Sequence, residues 1–230
     1  MLQAANLNIF YGDSHVVRDV SFLIPEGKIV CLMGRNGVGK TTVMKTLMGL
    51  LPARGGRISF GGKDITNLAP YWRARSGVGY APQGREIIPN LTVEENLLIG
   101  LEAKRNASRA LPPLIFELFP ALTTMLQRRG GDLSGGLQQQ LSIARALASE
   151  AKLLLLDEPT EGIQPSIIKE IVRAIKKLKE KGLSILVVEQ FVSFVRGAGD
   201  YFYIMEKGAI AAEGAIPNLS DDLIRKHLAV

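Results

Sequence analysis

The chain has 230 residues, of which 47% are hydrophobic, 22% charged and 6% aromatic, with a formal net charge of +6. This composition excludes a disordered, collagen-like or disulfide-stapled protein, and it can supply the core of one large domain or of a domain with a subdomain. The sequence holds no apolar run of about 20 residues and no signal-peptide start, so we expect a cytosolic protein. The positive charge favours a phosphate-rich ligand or an anionic surface. The single cysteine, Cys31, lies in the apolar run IVCLM and is expected in the core rather than as a catalytic thiol.

Short apolar runs alternate with helical patterns, which is typical of an α/β fold with parallel strands. The chain begins differently, because Leu2–Phe10 and Asp19–Ile24 predict an antiparallel β part within residues 1–27. The first core strand is predicted at Lys28–Met33, and a helix follows from Gly39 to Leu51. Two further short strands are predicted at Arg57–Phe60 and Gly77–Tyr80.

From about Val93 to Ser149 the strand patterns stop, and prolines and paired glycines interrupt the stretch. This predicts a helical subdomain, residues 93–149, inserted into a core formed by residues 28–92 and 150–230. Strand–helix alternation then resumes. The predicted elements are a strand at Lys152–Asp157, a helix at Ser166–Lys181, a strand at Leu183–Val188, a short helix, a hairpin of Tyr201–Glu206 with Ala209–Glu213, and a C-terminal helix.

The segment between the first core strand and its helix reads GRNGVGKTT and fits the phosphate-binding pattern G-x-x-x-x-G-K-[ST]. Its nine residues are Gly34, Arg35, Asn36, Gly37, Val38, Gly39, Lys40, Thr41 and Thr42. Glycines let backbone N–H groups turn toward phosphate oxygens, and the helix N-terminus adds a positive dipole end. We expect Lys40 to reach the β and γ phosphates and Thr41 to hold Mg²⁺. A chance glycine-rich turn is the alternative, which the strand and the helix on either side disfavour.

The predicted strand LLLLDEP carries two adjacent carboxylates, Asp157 and Glu158, directly after four leucines. Ligands of open α/β sheets collect at the carboxyl ends of the strands, where a cation can offset the charge. We expect Asp157 to hold Mg²⁺ directly or through water. Because side chains alternate along a strand, Glu158 is predicted to orient and deprotonate the water that attacks the γ-phosphate. An ordinary acidic strand end is the alternative.

The segment LSGG, containing Ser134, Gly135 and Gly136, precedes a predicted helix and is a second candidate anion site. One chain needs one binding site for the γ-phosphate. The second anion site therefore suggests that this segment contacts the nucleotide of another chain. With these motifs the sequence resembles the ATP-binding-cassette family over essentially its whole length. The resemblance implies a P-loop ATPase fold and a head-to-tail pair of cassettes. Two ATP molecules would lie between them, each held by the phosphate loop of one subunit and the Ser134–Gly136 region of the other.

The resemblance also implies roles for two residues outside these motifs. Tyr11 looks like the aromatic that stacks on adenine, although a tyrosine in the core at a strand end is the alternative. Gln83, in YAPQGR, looks like the glutamine that touches Mg²⁺ and the attacking water and reports to a membrane partner. A glutamine on an ordinary surface loop is the alternative for this position.

Two positions depart from the family pattern. Gln190 stands where a histidine commonly contacts the γ-phosphate; an amide can donate a hydrogen bond there but cannot carry charge. Gln164 stands where an aspartate is usual, which puts its cross-subunit contact in doubt. The two histidines, His15 and His227, are predicted at the surface.

The segments PQGREIIPNLTVEENLLIGL and LDEPTEGIQPSI, with the pair EQ at 189–190, are similar to the ATPases of branched-chain amino acid uptake systems. The stretch GIQPSI and the ending RKHLAV are closest to the urea-uptake branch. This implies a Mg²⁺-dependent ATPase at the inner face of a bacterial plasma membrane. It would dock beneath membrane permease subunits, pair with a second ATPase subunit, and be served indirectly by a periplasmic binding protein.

Two other functions stay open on the sequence. The first is a nucleotide-gated switch that clamps with little turnover, which Gln164 and Gln190 would suit. The second is a soluble cassette that acts on nucleic acid or ribosomes. Such proteins usually carry a second cassette, a coiled-coil insertion or a zinc module, and the basic residues here form no stripe, so we expect no nucleic-acid partner.

Overall fold

The computed structural model describes residues 1–103 and 110–228. Residues 104–109, within the predicted helical subdomain, and 229–230, at the end of the predicted C-terminal helix, lie outside the described part. The strands are β1 (Leu2–Tyr11), β2 (Ser14–Ile24), β3 (Ile29–Gly34), β4 (Gly55–Phe60), β5 (Lys63–Asp64), β6 (Val78–Ala81), β7 (Leu153–Asp157), β8 (Ser184–Val188), β9 (Tyr201–Glu206) and β10 (Ala209–Ala215). The helices are α1 (Lys40–Met48), α2 (Pro70–Arg75), α3 (Val93–Leu101), α4 (Pro113–Leu118), α5 (Pro120–Thr123), α6 (Gly135–Ala148), α7 (Pro165–Glu180), α8 (Val192–Ala198) and α9 (Asp221–His227).

The larger sheet has six strands in the order β10-β9-β3-β8-β7-β6. Strands β9, β3, β8, β7 and β6 pair in parallel, and β10 closes one edge as an antiparallel hairpin with β9. The predicted α/β core and the predicted hairpin are therefore confirmed. Strand β8 lies between β3 and β7, so residues that follow β8 emerge between the turn after β3 and the carboxylates at the end of β7.

Both faces of the larger sheet are buried, which explains the run of leucines before Asp157. Leu154 and Leu156 pack into the core beneath the helices, whereas Leu153 and Leu155 pack into the core shared with α1 and the smaller sheet. Side chains of a strand point alternately to opposite faces, so an apolar residue is needed at every position.

The smaller sheet has four antiparallel strands in the order β2-β1-β4-β5. Strand β4 pairs with β1, with Leu2 opposite Phe60. The antiparallel part predicted within residues 1–27 was therefore too short. Strand β4, which the prediction placed in the core formed by residues 28–92 and 150–230, belongs to the smaller sheet. Strand β2 also begins at Ser14, five residues before the predicted start.

The helical part begins with α3, whose first turn is closed by a capping box. The Thr92 hydroxyl accepts from the Glu95 N–H, and the Glu95 carboxylate accepts from the Thr92 N–H. Helix α3 packs closely on α6. A Cβ added at Gly100 would lie 2.2 Å from the Arg145 carbonyl oxygen of α6.

Burial agrees with one expectation about special side chains and contradicts another. Cys31 is fully buried, and burial raises the pKa of its thiol well above the usual range, as expected for a core cysteine. The surface prediction for His227 was wrong. Its ring is buried, and Nδ1 lies 2.8 Å from Oε2 of Glu206 at the end of β9. His15 is half-buried and stacks on Phe10.

Candidate active site

The turn between β3 and α1 is shaped by glycine conformations. Gly34 has φ 154°, and a Cβ there would lie 2.7 Å from the Met205 carbonyl oxygen of β9. Gly39 has φ 106° and directly precedes α1, and no side chain of a described residue caps this helix. The first N–H groups of α1 therefore point into the turn without a side-chain acceptor. A helix start of this kind binds anions.

A cavity of about 260 Å³ opens in front of this turn. It is lined by Val16, Asn36, Gly37, Gly39, Lys40, Thr41, Thr42, Gln83 and Glu158. Residues from four distant parts of the chain, namely β2, the phosphate-loop motif, the segment after β6 and the end of β7, thus meet at one place.

The Lys40 side chain lies at the base of this turn and is only 4% exposed. Its Nζ donates to the carbonyl oxygens of Gly34 at 2.8 Å and Arg35 at 2.9 Å. The same atom lies 3.5 Å from Oε1 of Glu158. Burial lowers the pKa of Lys40, and the neighbouring Glu158 carboxylate opposes that shift. A buried ammonium close to the Glu158 carboxylate is well placed to receive a phosphate.

Three oxygen atoms gather beside the cavity. The Thr41 hydroxyl lies 3.2 Å from Oδ1 of Asp157 and 3.5 Å from Oε1 of Gln83. Asp157 is 1% exposed, and the Tyr80 hydroxyl lies 3.4 Å from its other oxygen. Burial raises the pKa of Asp157 to about 6; the hydrogen bond from Thr41 opposes this, and repulsion by Glu158 adds to it. Sequence reasoning missed Tyr80, because nothing in a strand pattern marks its hydroxyl.

The oxygen atoms of Thr41, Asp157 and Gln83 suit a magnesium ion as ligands. Mg²⁺ takes hard oxygen ligands, commonly one or two carboxylates together with substrate phosphates. A carboxylate buried this deeply ordinarily needs a cation or several hydrogen-bond donors as partners. Within the described part of the chain, Asp157 has two hydroxyl partners, and both are more than 3 Å away. Among the residues that the structure describes, no three His, Cys, Asp or Glu side chains are grouped so that they could hold a metal without other ligands. The site therefore suits an ion that arrives with phosphate oxygens.

Whereas the Asp157 carboxylate has hydroxyl partners, the Glu158 carboxylate beside it has nitrogen partners. It lies near three nitrogens: Nζ of Lys40 at 3.5 Å, Nε2 of Gln83 at 3.2 Å and Nε2 of Gln190 at 3.2 Å. Its backbone has φ 49°, an uncommon left-handed conformation for a residue with a side chain. The two adjacent carboxylates thus have different surroundings.

Gln190 follows β8 and reaches both the turn and the carboxylate. Its Nε2 lies 2.6 Å from Oδ1 of Asn36 and 3.2 Å from Oε1 of Glu158. The preceding residue, Glu189, is 1% exposed and was missed by sequence reasoning. Its carboxylate accepts from the N–H and the hydroxyl of Thr160, at 3.0 and 2.7 Å. An acidic residue directly after an apolar strand was the available signal.

Not every predicted site residue lies at this cavity. Tyr11 is 48% exposed at the β1–β2 turn, which excludes the alternative of a core tyrosine, and it does not line the cavity. Ser134, Gly135 and Gly136 lie at the start of α6 and also do not line it. The Ser134 hydroxyl is exposed and accepts from the Leu137 N–H at 3.5 Å. Gln164 is exposed immediately before α7.

Chemically, the cavity combines a helix start, a buried amine, a group of oxygen donors and a carboxylate held by amides. The first two can bind phosphates, the third can bind a divalent cation, and the last can accept a proton from water. Within residues 1–103 and 110–228, every helix is too short or too polar to span a lipid bilayer.

Comparison with known proteins agrees with this geometry. Residues 17–161 match the family model described as ABC transporter. The chain is 37% identical over 211 residues to the high-affinity branched-chain amino acid transport ATP-binding protein BraG of Pseudomonas aeruginosa, covering 91% of each chain. It is 36% identical to the probable branched-chain amino acid transport ATP-binding protein LivF of Archaeoglobus fulgidus, covering 95% of this chain and 94% of LivF. It is also 35% identical to the lipopolysaccharide export system ATP-binding protein LptB of Escherichia coli K12, covering 96% and 93%.

Solved structures show the same fold. A nucleotide-free ATP-binding cassette from an ABC transporter superposes with a TM-score of 0.84 at 28% identity, covering 100% of this chain and 95% of that one. A dimeric post-hydrolysis state of the cassette MJ0796, bound to ADP and Pi, gives a TM-score of 0.85 at 25% identity, covering 94% and 99%. The chain therefore belongs to the ABC transporter family and is one of its ATP-hydrolysing subunits.

Proposed function

We propose that this chain energises the uptake of a small polar solute, a branched-chain amino acid or urea, through a membrane permease. The observation that carries the ATPase part is the meeting of Lys40, Thr41, Gln83 and Glu158 at one cavity. The transport of branched-chain amino acids is supported by the names of BraG and LivF, which are described as branched-chain amino acid transport ATP-binding proteins. The direction, uptake, rests on the sequence resemblance. Urea rests on the sequence resemblance of GIQPSI and RKHLAV alone.

In the proposed mechanism the ATP phosphates lie on the Gly34–Thr42 turn. The N–H groups at the start of α1 and Nζ of Lys40 bind the β and γ phosphates. Mg²⁺, held by Thr41, Asp157 and Gln83, would neutralise charge that develops on the phosphate oxygens. Glu158 accepts the proton of the attacking water, while Gln190 and Gln83 fix the orientation of its carboxylate through the 3.2 Å contacts.

A second ATPase subunit completes the proposed site. Ser134, Gly135 and Gly136 are partly or fully accessible and away from the cavity of their own chain, which suits contact with a nucleotide held by another chain. The dimer of MJ0796 supports pairing of this fold. We propose a head-to-tail pair, with the same chain or a related one, in which Tyr11 stacks on the adenine.

The permease is proposed to contact the Gln83 loop and a group of exposed apolar side chains that precede it in the chain. Leu50, Leu68, Tyr71 and Trp72 are between 36% and 57% exposed, and the Arg75 guanidinium lies over the rings of Tyr71 and Trp72. Large exposed apolar groups in one region are typical of interaction sites. This would place the protein at the inner face of a bacterial plasma membrane, with a periplasmic binding protein acting through the permease.

Export is the second candidate, because LptB of an export system is nearly as similar as BraG. The deciding experiment reconstitutes the chain with the permease and second ATPase subunits encoded beside its gene, in vesicles that expose the ATP sites outside. Import predicts ATP-dependent movement of labelled leucine or urea out of the vesicle lumen, only with binding protein inside the lumen. A Glu158→Gln complex serves as the control. Movement of lipid without any binding protein would instead establish export.

A further inference from the structure

Glu189 binds two separate segments of the chain with one buried carboxylate. Oε1 accepts from the N–H and the hydroxyl of Thr160, at 3.0 and 2.7 Å. Oε2 accepts from the N–H of Gln190 at 3.1 Å and that of Phe191 at 3.5 Å. Its side chain is 1% exposed, so these protein donors take the place of water around the charge.

The two segments are those that carry Glu158 and Gln190. Thr160 is two residues after Glu158, in a turn closed by the Glu161 N–H to the Glu158 carbonyl at 3.2 Å. Gln190 places its amide 3.2 Å from the Glu158 carboxylate. Glu189 therefore connects the two segments whose side chains, Glu158 and Gln190, contact each other.

The Glu189 carboxylate connects the two segments just beyond the point where the hydrogen bonds between β7 and β8 end. Hydrogen bonds of the sheet end near the last strand residue, where the Glu158 N–H donates to the Val188 carbonyl at 3.0 Å. Beyond that point the two backbones separate, and Glu158 has the left-handed φ of 49°. Beyond the sheet, the Glu189 carboxylate connects the two segments. Its oxygens accept from the N–H groups of Thr160 and Gln190, which are not paired in the sheet.

A carboxylate suits this position better than any uncharged side chain. Four donors point at it, and only a group with two acceptor oxygens can accept from both segments. In a glutamine one oxygen would become an NH₂ group that faces donors, so one segment would lose its connection while side-chain size stayed the same.

We propose that Glu189 is a positioning residue that holds the Glu158 turn and the Gln190 segment in register for hydrolysis. It acts through Glu158 and Gln190 and touches no phosphate. The proposal deepens the ATPase part of the proposed function and rests on it, but it is independent of which solute is moved and in which direction.

The test measures ATP hydrolysis by the assembled pair of ATPase subunits, with Glu189→Gln in this chain. A displaced catalytic group lowers the rate without weakening binding, so we expect kcat to fall about 10- to 100-fold with KM for ATP changed less than about threefold. Thr160→Val, which removes only the hydroxyl donor, should give a smaller loss of the same kind. Asp200→Asn is the matched control, since Asp200 accepts from the Ile29 N–H and from Lys179 at the opposite end of β3. It should leave kcat within about twofold of the native value.

Coupling to Gln190 separates positioning from a general loss of structure. If Glu189 acts through Gln190, Glu189→Gln should cost markedly less in a Gln190→Ala background than in the native one. Amide hydrogen exchange gives a readout that needs no turnover: the N–H groups of Thr160, Gln190 and Phe191 should exchange faster in Glu189→Gln and not in Asp200→Asn. The proposal would be overturned if amide exchange in Glu189→Gln were unchanged, or if Glu189→Gln changed only KM. It would also be overturned if Glu189→Gln lowered kcat by the same factor with and without Gln190→Ala. If Glu189→Gln does not fold, Thr160→Val with unchanged kcat would do the same.

Discussion

Nζ of Lys40 and Oε1 of Glu158 lie 3.5 Å apart, with their side chains only 3% and 9% exposed. The two groups come from the β3–α1 turn and from the end of β7, and they bring opposite charges to one cavity. A phosphate that binds Lys40 would compete with Glu158 for the ammonium. The carboxylate would then be held by the neutral amides of Gln83 and Gln190, which favours its role as a base.

Replacement of Glu158 by glutamine should separate binding from hydrolysis. The amide keeps the size of the side chain but cannot accept a proton, so we expect hydrolysis to fall by at least about 100-fold while ATP binding survives. Steady-state ATPase assays and equilibrium binding of labelled ATP measure the two effects. Lys40→Ala is the comparison, and it should lose both. Hydrolysis by Glu158→Gln near the native rate would contradict the assigned base.

Replacement of Gln83 by alanine should affect transport more than nucleotide affinity. Its amide contacts Glu158 and Glu161 at 3.2 and 3.1 Å, and its oxygen lies near Thr41, so it can report the state of the cavity along its loop. We expect the ratio of solute moved to ATP hydrolysed to fall in reconstituted vesicles, with ATP affinity within about threefold of native. Equal losses of transport and affinity would speak against coupling through this residue.

Replacement of Gln190 by histidine should add a pH dependence. The native residue has no titrating group, so kcat should show no step that belongs to this position. An imidazole there would titrate near its ordinary pKa of about 6.5, and kcat should gain an inflection in that range. The pH profiles of the native protein and of Gln190→His, measured from about pH 5.5 to about pH 8.5 so that they span this pKa, test the expectation. A native profile that already has the same inflection would show that another group is responsible.

Stability at low pH should depend on Asp200. Burial raises the pKa of Asp200, but the Ile29 N–H and Lys179 outweigh it, so the net pKa is lowered. A lowered pKa means that the contribution is present above the unfolded value, about 3.9, and is lost as pH falls through the folded value. The free energy of unfolding from urea titrations should therefore decline below about pH 4 less steeply in Asp200→Asn than in the native protein. Parallel curves would refute this.

Replacement of Gly100 by alanine should destabilise the helical part. The added Cβ would lie 2.2 Å from the Arg145 carbonyl and 2.8 Å from the Ala148 Cβ, which forces α3 away from α6. We expect a loss of about 1–3 kcal/mol in the free energy of unfolding. Gly197→Ala in α8 is the control, because the position that its new Cβ would take has no described atom within 4 Å. This control should gain about 0.5–1 kcal/mol. Urea denaturation measures both, and a loss in Gly197→Ala equal to that in Gly100→Ala would contradict the packing argument.

The site was predictable where a motif also fixes a place in the sheet. Lys40 and Thr41 follow one parallel strand and Asp157 ends another, so their meeting at the same edge follows from topology. Glu189 was not predictable in this way, because its donors at Thr160 lie 29 positions away and are partly backbone groups. The wrong surface prediction for His227 has the same cause, since only the fold brings it to Glu206.

The architecture was predictable in kind but not in the membership of each sheet. Strand periodicity shows that Arg57–Phe60 is extended, but it does not show which strand will be its partner. Pairing of β4 with β1 joins residues that are far apart in the chain, as in Leu2 with Phe60. The alternation of apolar and polar residues within a strand does not indicate how far away in the sequence its partner strand lies.

The central place of β3 has a consequence for synthesis of the protein. Both of its neighbours, β8 and β9, begin at Ser184 or later, so the apolar strand Ile29–Gly34 leaves the ribosome long before either is made. Until then it presents two unpaired edges, which are prone to join the strands of other chains. Nascent or truncated chains that stop before Tyr201 should therefore aggregate, whereas the smaller sheet, complete by Asp64, can close early.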